Sequence, residues 1–327
     1  MLTPREIAKH VPFTSGDNFI INGGCVISQR GDFWSAPYFT SLQEYTIDRF
    51  ATLDSANTPQ IQQNLGANLP DGFEASLITT ATETATSYIY TGQWVEDYLA
   101  LRNRDVVLSA WVKSNNSNTR LKVYQGAPGW TAEQEEVGVG THPGDGQWHK
   151  LTMKFKVSPT ATELRIAVAL RGKYSNSSGT IPISAGDYYE FTGLKLEVGT
   201  EATPYVPRTT AEELALCQRY YERIVAGANY YVFVVGQCIS SATAYCDLHW
   251  TPKRVIPSLN YGGSIRLGNS TGTPLALVSL NFGQIGLNGG LADALVGGGL
   301  LTAGNAAQLM ANNDTTAYIE IDAEITS

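Results

Sequence analysis

The chain has 327 residues, and its 22 Lys and Arg against 30 Asp and Glu leave a formal charge of −8 and a pI near 5.1. No Lys/Arg-rich run offers the basic footprint that a nucleic-acid backbone requires, so nucleic-acid binding is excluded. Charged residues make up only 16% while Gly (32) and Tyr (17) are abundant, which favours short strands and tight turns over long surface helices, and the length predicts two or three units with real cores. No apolar run reaches 18 residues, and Arg5 and Lys9 near the start are followed by no apolar stretch. Neither a signal peptide nor membrane insertion is therefore expected.

In chain order, residues 1–17 read as an N-terminal arm, with Thr3 as a helix cap and Pro4 at the first helical position. Residues 18–207 alternate apolar and polar side chains in runs such as Val107–Lys113, Arg120–Tyr124, Trp148–Val157 and Glu163–Leu170, separated by turn-rich pieces such as Pro143-Gly144-Asp145-Gly146. Period-two alternation at short spacing predicts an antiparallel jelly-roll β-sandwich, with Trp111 and Trp148 expected in its core. Residues 208–226 read as a linker helix opened by a capping box, Thr209 with Glu212 or Thr210 with Glu213. Within it Leu214, Cys217, Tyr221 and Ile224 recur at the spacing of an oligomerisation seam, the alternative being a stripe packed on the chain's own sandwich. Residues 227–327 hold the strand-like runs Tyr230–Val235, Ala244–Trp250 and Ala317–Ile325. So few charges, nine over residues 226–327, predict a C-terminal β domain covered by copies of itself. The predicted class is mainly β: a jelly-roll sandwich, a short helix and a second β domain.

Several segments resemble bacteriophage tail-fibre and related virion fibre or spike proteins. These are Asn18–Gly31, with its Asn22-Gly23 turn and Gln29-Arg30-Gly31; Tyr45–Phe50; Phe191–Gly199 followed by Ala202–Tyr205; and Glu213–Tyr221. Their order over residues 18–221 is more specific than any one of them. The resemblance implies a virion fibre or spike subunit, assembled in the host cytoplasm and exposed on the particle, whose sandwich resembles a carbohydrate-binding module. It further implies a homotrimer held to another virion protein through the N-terminal arm, with the C-terminal domain distal. A capsid-decoration protein without receptor activity and a polysaccharide depolymerase are the alternatives. Read as residues, Gly23-Gly24 permits a turn or close approach at a strand start, and Asp48 and Arg49 each tie down a different loop.

Motifs for catalysis are missing: no HExxH, no Gly-x-Ser-x-Gly and no Walker loop occur, and the four His are scattered in sequence. Glu133, Glu135 and Glu136 after Trp130, and Glu96-Asp97 after Trp94, read as solvated acidic loops; a glycosidase pair is the alternative. The protein is expected to be no enzyme and to need no cofactor or metal, although Asp145, Asp187 and Glu190 are candidates for a calcium site. Cys25, Cys217, Cys238 and Cys246 are expected as free buried thiols. Loop aromatics beside polar groups suit the apolar faces and hydroxyls of sugars, which nominates Trp34 and Tyr38 in one loop and Tyr124 and Trp130 in another for a host-surface polysaccharide. The competing reading has Trp34 and Trp130 capping the sandwich core.

Overall fold

The computed structural model describes residues 16–34, 43–54, 59–66, 68–84, 88–126, 133–134, 140–171, 183–269 and 274–325. The chain divides into two compact units, one running to Glu213 and the other spanning Leu214–Thr326.

The first unit is a sandwich of two six-stranded antiparallel sheets. One sheet runs in the order β1 (Phe33–Trp34), β4 (Gln60–Leu65), β5 (Ala75–Thr80), β12 (Tyr188–Val198), β7 (Asp105–Ser114), β10 (Trp148–Lys156). The other runs β2 (Gln43–Tyr45), β3 (Ala51–Asp54), β6 (Tyr88–Trp94), β11 (Leu164–Arg171), β8 (Arg120–Gln125), β9 (Glu133–Gln134). Alternation in the sequence decides what faces inward: Val106, Leu108, Ala110 and Val112 from β7 meet Leu164, Ile166, Val168 and Leu170 from β11 in one continuous core. A chain of buried hydroxyls, Thr52 to Thr91 at 3.0 Å, Thr79 to Thr91 at 3.2 Å and Thr91 to Tyr189 at 2.7 Å, ties the two sheets where apolar side chains give out.

The segments that carry the fibre-like pattern are brought together at one place in this sandwich. The Asn18 side chain donates to the Leu194 carbonyl and accepts from the Ile20 and Leu196 amides; the Leu194 amide donates to the Gly23 carbonyl. Asn22, at φ 60°, donates through Nδ2 to the Ile27 and Asp48 carbonyls, and its amide donates to the Glu213 carboxylate at 2.6 Å. A Cβ on Gly23 would strike the Leu194 carbonyl, so that position requires glycine. Asp48 accepts from the Gln29 amide and side chain, whereas Arg49 donates to the Trp94 carbonyl, so the two neighbours do hold different segments. One expectation is corrected: Asn18–Ser28 forms turns and irregular chain, not a strand, because its polar groups are satisfied by side chains of Asn18, Asn22, Gln63 and Gln93 in place of a ladder.

Trp111 and Trp148 are also corrected. They lie on the face of their sheet turned away from the core, half-buried, with the Trp148 indole N–H donating to the Asn68 carbonyl at 2.7 Å and Lys113 over its ring. Each occupies the opposite parity to the inward residues of its own strand, Val112 in β7 and Leu151 in β10.

The helix α2 (Thr210–Gln218) begins with the expected capping box: the Thr209 amide donates to Glu212 at 3.0 Å and the Glu212 amide to the Thr209 hydroxyl at 3.3 Å. It ends eight residues before the expected boundary. Tyr221–Val225 is instead β13, paired with β21 (Tyr318–Asp322), which pairs in turn with β16 (Ser258–Gly262). Leu214, Cys217, Tyr221 and Ile224 therefore do not share a helical face, and the proposed seam is lost. Strand pairing wins here because Tyr-Glu-Arg-Ile-Val carries aromatic and β-branched side chains that suit a ladder as well as a helix, and the partner strand decides.

The rest of the second unit is a closed six-stranded antiparallel barrel in the order β14 (Val232–Cys238), β15 (Thr243–His249), β19 (Gly289–Val296), β18 (Pro274–Gly283), β17 (Ile265–Asn269), β20 (Ala306–Ala311). Its interior mixes small side chains, among them Ala244, Cys246, Ala292, Ala294, Ala307 and Ala311, with the larger Leu248, Leu267, Leu275, Leu280, Val296 and Leu309. All four cysteines are free and buried, and burial pushes the Cys246 thiol up to about 11. Of the sixteen large apolar side chains left exposed among the described residues, thirteen belong to this unit, Tyr231, Val235, Tyr245, Val278 and Leu300 among them.

Candidate functional site

The sheet containing β6, β11 and β8 has a second buried face, on the side opposite the core. Outward positions pair across it as Trp94, Arg165 and Tyr124 in one row, as Ala51, Gly92, Ala167 and Lys122 in the next, and as Tyr90 and Ala169 in a third. The middle row has almost no side chains except at its end. It forms the floor of a trough whose walls of aromatic rings and cations close over it, the Tyr90 and Tyr124 centroids lying 5.8 Å apart, so that its middle is filled and it reaches solvent at Tyr45 and Tyr88. A Cβ on Gly92 would run into the Ile166 carbonyl and the Ala167 methyl, so glycine is needed both for the strands to approach and for the floor to stay low.

The walls are built from paired rings and cations. Lys122, fully buried, donates to the hydroxyls of Tyr90 at 3.0 Å and Tyr124 at 2.9 Å, with its ammonium 4.3 Å from the centre of the Tyr90 ring. Tyr88 stacks on Tyr90 with centroids 4.3 Å apart and planes within 6°. Across the trough the Arg165 guanidinium lies 4.6 Å from the Trp94 ring and pairs with Glu163 at 2.7 Å; burial pulls its pKa down while Glu163 opposes that shift. Tyr45 stands beside Trp94, and Arg30 lies over Tyr45. Tyr45 and Tyr88 remain partly open to solvent, while Tyr90, Trp94, Tyr124 and Arg165 are buried, so a ligand on the inner part of this face must displace what covers it.

Of the four aromatic residues nominated from the sequence, the structure places Tyr124 in this face, in a strand and not in a loop. Trp34 is in β1 of the other sheet, and its side chain lies outside the described residues, as do Tyr38 and Trp130. Tyr45, Tyr88, Tyr90, Trp94, Lys122 and Arg165 were not foreseen. The sequence signal for them was the alternation in Tyr88-Ile89-Tyr90 and Leu121-Lys122-Val123-Tyr124, in which the outward positions are aromatic or cationic where a solvated face has small polar residues. Glu133 is on edge strand β9 with its side chain outside the described residues, as are Glu135 and Glu136, and Glu96-Asp97 precedes the short helix α1 (Tyr98–Leu101). Asp145, Asp187 and Glu190 do not converge: Asp145 faces His149, Asp187 accepts from Asn116 and the Ser184 amide, and Glu190 accepts from Asn64 and Ser76.

Gly92→Ala is expected to destabilise the sandwich by about 1–3 kcal/mol through this overpacking, read as a lower urea midpoint with unchanged slope. A variant as stable as the parent would show that the two strands can separate at no cost.

No protein-family model matches the chain, and no curated protein does. Among solved structures, the chain is similar to the enzymatically active domain of tailspike protein 4 of bacteriophage CBA120 (11% identity over 56% of this chain, TM-score 0.37); the match spans only 21% of that domain's length. It is also similar to a CBM22 xylan-binding domain of Paenibacillus barcinonensis (13% identity, 58% of this chain and all of that one, TM-score 0.35). A CBM61 domain in complex with β-1,4-galactotriose matches at 13% identity over 56% of this chain and all of that one, with a TM-score of 0.32.

Proposed function

We propose that this protein is a non-enzymatic structural subunit of a bacteriophage virion fibre or spike, and that its sandwich recognises a host-surface polysaccharide at the solvent-reached edge of the trough, marked by Tyr45 and Tyr88. The observation that carries the glycan reading is the trough itself. Sugar rings present apolar C–H faces that stack on aromatic rings, and here Tyr45 and Tyr88 reach solvent beside the buried rings of Trp94 and Tyr90, which hold them in place. The virion reading rests on the ordered fibre-like segments. Assembly as a homotrimer, with the N-terminal arm on another virion protein, follows from the same resemblance and is favoured by the apolar side chains that the charge-poor barrel leaves exposed.

Tyr45→Ala and Tyr88→Ala test the trough, since both side chains reach solvent and neither is part of the core. Each is expected to weaken binding to purified host-surface polysaccharide by about 5- to 150-fold, the counterpart of 1–3 kcal/mol for an aromatic stacked on a flat ligand, with the far-ultraviolet circular dichroism unchanged. Equal binding in parent and variants rejects the trough as the site. Release of oligosaccharide by the parent would replace the binding role with depolymerisation. Light scattering decides assembly, because a particle at the monomer mass of 35.4 kDa rejects the trimer.

A further inference from the structure

The two histidines of the sandwich that lie among the described residues, with an aspartate between them, are folded into one cluster by the turn that enters β10. Their candidate ligand atoms all lie within 4.8 Å of one another. The turn is held from several sides: the His142 amide donates to the Thr119 carbonyl, the Gly146 amide to the Ser114 carbonyl, and the Asp145 carboxylate accepts the Gln147 amide at 3.0 Å. Gly144, at φ +83°, lies so close to the Ser117 backbone that no side chain fits there. The turn therefore brings the three side chains together before any ion binds, and the Gly144 amide is the backbone group that must give way to one.

We propose that His142, Asp145 and His149 bind one late first-row divalent transition-metal ion, Zn²⁺ being the first candidate. The hydrogen bonds around His142 leave one tautomer: Nε2–H donates to the Gln147 carbonyl at 2.9 Å, so Nδ1 carries the lone pair, which meets the Gly144 amide at 2.9 Å. A ligating imidazole whose second nitrogen donates to a backbone carbonyl is the arrangement that orients histidines at metal sites. His149 Nε2 lies 2.9 and 3.1 Å from the two Asp145 oxygens, and the two rings stand nearly perpendicular with centroids 4.9 Å apart. An ion entering there takes the place of the proton between His149 and Asp145. Neutral His149 keeps its single proton by moving it to Nδ1, protonated His149 releases one to solvent, and Nδ1 of His142 exchanges the Gly144 amide for the ion.

Two imidazoles and a carboxylate select Zn²⁺, Co²⁺, Ni²⁺ or Cu²⁺ over Ca²⁺ and Mg²⁺, which want all-oxygen shells, and leave one or more positions for water. Asp145 is exposed and His149 half-exposed, so the ion has a path in, while His142 is buried. The buried thiols of Cys25, Cys238 and Cys246 are held protonated by burial and are poor competitors. This assignment is independent of the glycan reading, because these residues are not part of the trough.

Calorimetric titration of the untagged full chain with Zn²⁺ at neutral pH is expected to show one ion per chain, with affinity lowered at least about tenfold in His149→Ala and in Asp145→Asn. Both substitutions are at solvent-reached positions, and circular dichroism confirms that each variant is folded. In the parent, Co²⁺ is expected to shift and broaden the imidazole resonances of His142 and His149 together. No saturable Zn²⁺ binding, equal binding in parent and both variants, or Co²⁺ that leaves these two imidazoles unmoved would each overturn the assignment.

Discussion

Replacing Lys195 with Ala is expected to lower the stability of the sandwich by about 3–5 kcal/mol, the cost of leaving a buried carboxylate without its cation. The Lys195 and Glu197 side chains are 2% and 1% exposed, and their charged atoms are 3.2 Å apart. Between them Thr203 closes the arrangement: it accepts from Lys195 through its hydroxyl, donates that hydroxyl to Glu197 at 2.6 Å, and donates its amide to Glu197 at 2.8 Å. Lys195 also donates to the Pro204 carbonyl. Removing the ammonium takes away the bonds to the Thr203 hydroxyl and the Pro204 carbonyl and leaves Thr203 held to β12 by Glu197 alone among these partners. Chemical denaturation measures the loss, and a change below about 1 kcal/mol would mean that water reaches Glu197 as soon as the lysine is gone.

The same arrangement sets an acid limit. Burial alone would raise the Glu197 pKa, but the Thr203 hydroxyl and amide and the Lys195 ammonium outweigh it and hold the carboxyl below its ordinary 4.5. A carboxyl that is more acidic folded than unfolded contributes stability that is complete above the unfolded value and is lost as pH falls below it, because the unfolded chain takes up the proton first. Stability is expected to fall below about pH 4.5, with a smaller fall in Glu197→Gln, which carries no titrating group there. Equal acid slopes in parent and variant would assign the acid limit to other carboxylates.

In the second unit the largest effect is expected from Lys253→Ala, at about 3 kcal/mol. Its ammonium is fully buried and donates to the Gln218 carbonyl at 2.6 Å and to Glu222 at 2.7 Å; Glu222 in turn accepts the Thr251 amide. Truncation leaves the last carbonyl of α2 and a mostly buried carboxylate without this partner. The figure is at the low end for a broken buried pair because the Glu222 side chain keeps 14% of its exposure. Hydrogen exchange localises the loss. Faster exchange in β13 and α2 is the expected outcome, and uniform exchange with parent-like rates would show that β13 holds its place through β21 alone.

In the sequence alone, strand alternation was strong enough to determine the mainly β class and the runs that became β7, β8, β10, β11, β14 and β15, and Thr209 with Glu212 marked the capping box that starts α2. Each of these depends on residues close together along the chain, where side-chain periodicity and local hydrogen bonding act directly. The fibre-like segments were also legible as a pattern, but their reason was not: Asn22, Asp48, Leu194 and Glu213 are joined only after folding. Tertiary structure alone decided where α2 stops, because Tyr221–Val225 satisfies helix and strand preferences equally until β21 lies beside it. It likewise decided that Tyr124 faces Lys122, Tyr90 and a floor of small residues, and that Trp111 and Trp148 face away from the core. Alternation shows that successive side chains point to opposite faces, but not which face the other sheet will cover.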